Sequence, residues 1–211
     1  MTPGALRNGL RDRCEGPLPA ADDGGLEEAV RVLSGGGVAV IPTDTVYGLA
    51  AHPDFPDAVA RLYSIKERDG RKPVALLAAD ARSAARFLGR ELPARAAALA
   101  SRFWPGALTL VLETADGSRF EGVRVPDHDW TRRLLARCGG VLRVTSANMS
   151  GRRPATDAMA ALAEVGLSAD LVVDGGVSPG GIASTVAKVS EDGSLQVLRQ
   201  GGVDVGAVFG G

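Results

Sequence analysis

In "GLEEAVRVLSGGG" the apolar residues Leu26, Val30 and Leu33 recur at the spacing of one helical face, and Gly35 to Gly37 follow as a stop. The pattern predicts an amphipathic helix with Asp23 as a nearby cap. The period then changes. "VAVIP" is a short apolar run of strand type and "TDTVYGLAA" a polar turn leading into a second extended segment. "PDAVARLYSIK" returns to helical spacing, with Val59, Leu62 and Tyr63 on one face. "PVALLAA" predicts a buried strand, "DARSAARFL" and "LPARAAALASRFW" helices, and "ALTLVLE" and "GVRVP" strands around the turn-rich "TADGSRFE". "DWTRRLLARC" reads as a helix, "GVLRVTS" as a strand, "ATDAMAALAEV" as a helix and "ADLVVDGG" as a strand. "STVAKVSEDGSLQVLRQG" closes the series as two strands joined by a Glu-Asp-Gly turn.

Helices alternating with strands imply an α/β architecture in which helices cover a sheet, and the closing hairpin argues against a purely parallel one. The expected fold is a single domain over 23–211, with a twisted mixed sheet of parallel and antiparallel strands flanked by helices. Residues 1–22, rich in Gly and Pro and without apolar periodicity, are expected to form a disordered tail; their arginines precede no apolar stretch of signal-peptide type.

Composition narrows the chemistry. A chain of 211 residues with 45% hydrophobic positions can bury a sizeable core, and its formal net charge of -1 excludes a global basic field of the kind that holds nucleic acid non-specifically. Any anion site has to be built locally. Cys14 and Cys138 lie far apart with no Cys-x-x-Cys or Cys/His spacing, so neither a zinc site nor a disulfide framework is expected, and a reducing, cytoplasmic compartment fits. No apolar run approaches the roughly 20 residues of a membrane span.

The densest local charge is "RLYSIKERDGRK", where Arg61, Lys66, Arg68, Arg71 and Lys72 outnumber Glu67 and Asp69. Such a loop can converge on phosphates, and it also suits a solvated helix C-terminus. "IPTDTVYGLAA" offers Thr43, Asp44 and Thr45 in a turn that fits a small zwitterion or a purely structural corner, and Tyr47 reads equally as core. Arg124, inside the strand-like "GVRVP", must find an anionic partner or reach water, and is expected to be dispensable for folding. "TSANMSG" places two hydroxyls and an amide at the end of a buried strand. There is no Gly-x-Ser-x-Gly elbow, phosphate loop or dinucleotide fingerprint, and His52 and His128 stand singly, which reads as structural or exposed. Positioning of anions, not covalent catalysis, is the chemistry left.

Taken together, "PTDTVYGLAA", "KERDGRKP", "FWPGALT", "GVRVP", "SANMSG", "STV" and "LRQG", in this order from about Leu26 to Gly202, resemble the L-threonylcarbamoyladenylate synthases, the YrdC or Sua5 family. The resemblance implies a twisted α/β fold around a basic cavity. It also implies formation of threonylcarbamoyl-adenylate and pyrophosphate from L-threonine, bicarbonate and ATP, with Mg²⁺ accompanying the nucleotide, for the modification of tRNA adenosine 37. By resemblance Lys66 and Arg68 are the catalytic cations; these two, with Lys72, Ser146, Asn148 and Arg199, bind ATP. Thr45, Arg124 and Ser184 hold threonine. No protein metal site is implied.

Two departures bear on the threonine side: "RDGRK" stands where the family often has Arg-Pro, and Leu77 stands where some longer members place a histidine. The chain looks like the short type, which works with separate proteins that transfer the threonylcarbamoyl group to tRNA. Two other readings compete: a carbamoyl-adenylate-forming domain of a carbamoyltransferase, and an RNA-binding module of the same fold. With a net charge of -1, RNA binding is expected to be weak at most.

Overall fold

The structure is a computed structural model that describes residues 20–67, 69–70 and 72–206. Nine strands form one sheet: β1 (Val38–Ile41), β2 (Gly48–Ala51), β3 (Leu76–Ala78), β4 (Leu108–Glu113), β5 (Phe120–Arg124), β6 (Val141–Ser146), β7 (Leu171–Val172), β8 (Thr185–Val189) and β9 (Leu195–Arg199). Their order across the sheet is β7-β1-β2-β6-β3-β5-β4-β8-β9. The pairs β1/β7, β3/β5 and β4/β8 are parallel and the rest antiparallel, so the expected mixed sheet is what forms. Among the described residues six α-helices interleave with it: α1 (Asp23–Ser34), α2 (Pro56–Ile65), α3 (Ala81–Leu88), α4 (Ala94–Phe103), α5 (Asp129–Arg137) and α6 (Ala158–Glu164).

Four of these helices, α1, α3, α5 and α6, start at a side-chain acceptor, whereas α2 starts with Pro56 in its first turn and α4 follows Pro93. Asp80 accepts from Ser83 N at 2.6 Å and Asp157 from Ala160 N at 2.8 Å. The cap of α1 is Asp22, accepting from Gly25 N at 2.9 Å, whereas Asp23 falls inside the first turn. That corrects the expected cap by one residue. It also moves the expected tail boundary, because Ala20 bridges Asp174 and Ala21 N donates to Asp174 O at 2.7 Å. The remainder of the expected tail, residues 1–19, lies outside the described residues.

Strand alternation distributes the helices over the two faces. One face carries Val40, Leu49, Leu76, Val123 and Leu110, which pack under α2 and α6 at one end of the sheet and under α3 and α4 at the other. On the opposite face α1 and α5 cover only the β1-β2-β6 half, over Ile41, Ala50 and Leu142. Each leucine fully buried in these layers contributes about 1.5–3 kcal/mol. Among the described residues no helix lies above the other half of that face. Thr109, Val111, Gly122, Arg124 and Val186 point into the space so left.

Candidate functional site

The uncovered half-face is the floor of a cavity of about 460 Å³. Leu77 and Val144 form its border, packing against the α1/α5 layer while also lining the cavity. Gly48 and Gly122 keep the floor low; a Cβ at Gly48 would stand 2.5 Å from Val144 Cγ1. Around the rim come Thr43, Thr45 and Tyr47 from the turn between β1 and β2, Ser146 from the end of β6, Ser184 from the start of β8, and Arg199 from the end of β9.

Arg124 is the cation at the centre. It is 6% exposed, and all three guanidinium nitrogens have partners: Nε donates to Gly106 O at 3.0 Å, Nη1 to Thr45 Oγ1 at 2.8 Å, and Nη2 to Asp44 Oδ1. Burial pushes its pKa down from the ordinary arginine value, the Asp44 carboxylate opposes that shift, and Arg199 adds to it by like-charge repulsion. The anionic partner that an arginine in a strand requires is therefore Asp44 in "PTDT", read from the sequence only as a turn residue. The turn is fixed by Thr43, whose Oγ1 donates to Val46 O at 2.7 Å and accepts from Thr45 N at 3.2 Å. Gly180 N and Gly181 N hold the carbonyls of Asp44 and Thr45 from the facing loop.

Ser184 and Arg199 form a second group. Arg199 donates through Nη2 to Ser184 O at 2.8 Å and to Ser184 Oγ at 3.3 Å, and Ser184 Oγ lies 2.8 Å from Thr109 Oγ1. Thr109 escaped the sequence reading. Its signal was alternation: in "ALTLVLE" it shares a face with Val111 and puts a hydroxyl on the side that Arg124 also faces.

The third group lies behind the cavity wall. Lys66, 2% exposed, points its ammonium at the backbone carbonyls of Ser146 and Asn148 and lies 3.5 Å from Asn148 Oδ1. Asn148 in turn donates through Nδ2 to Met149 O at 2.9 Å and Arg152 O at 2.8 Å. The "SAN" corner is thus built around a buried lysine, and of its polar side chains Ser146 faces the cavity. Lys66 closes α2, and Glu67 follows with φ 49°, a left-handed conformation uncommon for residues other than glycine. This reversal takes the chain into the basic loop. Lys72 is exposed there, next to the cavity-lining Pro73, and Arg68 lies outside the described residues.

Of the nine residues singled out from the sequence, five line one cavity: Thr45, Arg124, Ser146, Ser184 and Arg199. Lys66 and Asn148 support it from behind. Tyr47 is fully buried, with its hydroxyl donating to Gly176 O at 2.7 Å and accepting from Gly175 N at 2.9 Å. His128 accepts from Thr131 N at 3.3 Å as the cap of α5, and His52 Nε2 lies 3.1 Å from Cys138 O, so both histidines have structural partners. Among the described residues no group of three or more His, Cys, Asp or Glu is placed to hold a metal ion, and no helix is long and apolar enough to cross a membrane.

A cavity lined by two arginines, seven hydroxyl side chains and a strand-end corner, on a mixed sheet half covered by helices, defines an α/β domain with a pocket suited to a small anionic ligand. The family model for Sua5, YciO and YrdC proteins, described as "Telomere recombination", matches residues 31–201, and the chain belongs to that family. A threonylcarbamoyl-AMP synthase of Halorhodospira halophila is 37% identical over 158 residues, covering 71% of this chain and 82% of that protein. The protein of the same name from Bacillus subtilis is 32% identical over 87% of this chain, and the match spans 55% of the relative's length. Among solved structures, Sua5 of P. abyssi complexed with L-threonine superposes with a TM-score of 0.79 at 30% identity, covering 87% of this chain and 56% of that one. The chain thus spans about half the length of these last two proteins.

Proposed function

We propose that this chain is a threonylcarbamoyl-AMP synthase, a nucleotidyltransferase that joins L-threonine, bicarbonate and the adenylyl part of ATP and releases pyrophosphate. The observation that carries the reading is the cavity on the uncovered half-face, where Arg124, Thr45, Ser184 and Arg199 converge in a family whose similar members bear that name. The product supplies the threonylcarbamoyl group that separate cytoplasmic proteins transfer to tRNA adenosine 37.

The site has cations and hydroxyls but no nucleophile of its own, so its work is binding, orientation and charge stabilisation. Arg124 is fixed on three sides by Gly106, Thr45 and Asp44, which leaves guanidinium hydrogens for the threonine carboxylate; Thr45 and Ser184 supply hydroxyls beside it. Ser146 and Arg199 are the cavity residues we assign to ATP, Arg199 standing next to the threonine group through its hydrogen bonds to Ser184, and by family resemblance Lys72 and Arg68 supply further cations for the phosphates. Lys66 and Asn148 hold the Ser146 corner in shape from behind. ATP enters as its Mg²⁺ complex, in which the metal neutralises phosphate charge. The threonine amine attacks the carbon of bicarbonate, water leaves, and a carbamate oxygen of the product attacks the α-phosphate with departure of pyrophosphate. Because both nucleophiles belong to substrates, exclusion of water from the cavity decides the yield.

Pyrophosphate release from ATP and bicarbonate, measured with each amino acid in turn, tests the reading. Release that requires both bicarbonate and threonine is expected. Equal turnover without an amino acid, or a preference for carbamoyl phosphate, would transfer the chain to the carbamoyl-adenylate chemistry.

A further inference from the structure

On the face opposite the cavity, a separate cleft of about 990 Å³ opens between α3 and α4. Its floor is apolar: Ala85 from α3, Ala97 and Ala100 from α4, then Trp104, Pro105 and Val125. The indole is fixed in place, since Trp104 Nε1 donates to Leu108 O at 2.7 Å. The rim is basic. Arg82 and Arg86 sit one helical turn apart on α3, about 6 Å along its axis, both exposed. Neither has a hydrogen-bond or ion-pair partner among the described residues. The other rim arginines are occupied, Arg90 with Glu191 and Arg132 with Asp127 and Asp129. Of the two acids at the rim, Asp80 is committed to the cap of α3, which together with Arg86 and Arg82 holds its carboxyl below the usual range.

We propose that this cleft is a docking site for an acidic amphipathic segment of a partner protein. The apolar floor calls for apolar side chains, and the two free guanidinium groups call for carboxylates spaced by one helical turn on the segment's flank. A helix with apolar residues at i, i+3, i+4 and i+7, and acids beside them, meets both demands. A nucleic acid meets the second demand with its phosphates and could stack one base on Trp104, but the alanines, Pro105 and Val125 that make up the rest of the floor offer it no further stacking partner and call instead for aliphatic side chains. The inference stands independently of the synthase reading, because the cleft shares no lining residue with the 460 Å³ cavity.

The test is selection of random 16-residue displayed peptides on the full-length protein, counter-selected against the Arg82→Glu/Arg86→Glu double variant. Both side chains are exposed, so the variant should fold and retain pyrophosphate release. The expected outcome is enrichment of acidic sequences with helical apolar spacing. Synthesised peptides from that set should bind at least tenfold more weakly to the double variant, and to Ala97→Phe, which fills the floor from the other helix. Enrichment without acidic residues, binding unaffected by both variants, or no enrichment overturns the proposal. So does RNA binding that these two arginines control while no peptide is selected.

Discussion

At the residue scale, Arg124, proposed to hold the threonine carboxylate, is also a structural element. Its guanidinium faces the cavity, yet its side chain and that of Asp44 are only 7% and 11% exposed, so each neutralises a charge the fold has taken out of water. The expectation that Arg124 is dispensable for folding does not survive this geometry. Removing one partner of such a pair leaves an uncompensated buried charge, at a cost of about 3–5 kcal/mol. Arg124→Ala should therefore lower the urea midpoint strongly as well as raise the threonine requirement. Arg124→Met combined with Asp44→Asn should recover most of the stability and none of the threonine dependence. Urea melts of the two single variants and the double variant measure the coupling, and strictly additive losses would show that the pair contributes nothing beyond its separate members. Lys66 presents a different case. Its charge is satisfied by carbonyls of the corner it supports, so a substitution there should reach the proposed ATP site through the shape of the Ser146–Asn148 segment.

At the element scale, two devices shape the site. One is the close approach of β2 to β6, where Gly48 leaves room for Val144. Gly48→Ala should cost about 1–3 kcal/mol through overpacking, and Val144→Ala in the same chain should relieve part of that, seen as non-additivity in thermal melts. Full additivity would place the strain elsewhere. The other device is the cap of α5. Burial pushes the His128 imidazole below its ordinary range; Asp44 opposes that pull, Arg132 adds to it, and Asp129 and Asp127 oppose it more weakly. The capping Nδ1 accepts only when unprotonated. The unfolded chain, with an imidazole pKa near 6.5, binds a proton that the folded chain refuses. Stability from this group is therefore complete above about pH 6.5 and lost as pH falls toward the lower folded value, by at most about 1.4 kcal/mol per pH unit. In His128→Asn, where the amide oxygen can cap at any pH, urea melts between pH 5 and 7.5 should lose that slope. An unchanged slope would assign it to another group.

These elements also show how far the sequence could be read. Strands and helices were legible because apolar period and turn residues agree along the chain, as in β8 and β9 around Glu191, Asp192 and Gly193. Strand order was not legible, since β6 enters between β2 and β3 from far along the chain, and local pattern carries no record of which edge a strand finds. The half-covered face follows from that order. This is why Arg124 could be singled out while its pairing with Asp44, 80 residues away, could not. The motif residues were visible as a set, but their division into cavity lining and rear support depends on which way β6 presents Ser146 and Asn148.

At the scale of the whole molecule, the start of the described chain is tied to the site through a short relay. Asp22 caps α1 and its carbonyl accepts from Trp130 Nε1 at 2.9 Å, joining α1 to α5 in the layer that covers half the sheet face. Ala20 and Ala21 pair with Asp174, and the next two residues, Gly175 and Gly176, clasp the hydroxyl of Tyr47, which lines the cavity. Comparing a chain that begins at Ala20 with one that begins at Asp23 isolates this relay. Loss of the side-chain cap costs about 0.5–2 kcal/mol and loss of the indole hydrogen bond about 0.5–1.5 kcal/mol. For a domain of this size the shorter chain should melt roughly 2–10 °C lower. Trp130 fluorescence should shift as its indole loses the Asp22 carbonyl, and threonine-dependent pyrophosphate release should fall, because Tyr47 stands between Thr45 and the Ser146 corner, where its carbonyl accepts from Ala147 N at 2.8 Å. Coincident melts and unchanged threonine dependence would mean that Ala20 to Asp22 lie against the domain without supporting it, and that the α1/α5 layer holds the covered half-face through its apolar contacts alone.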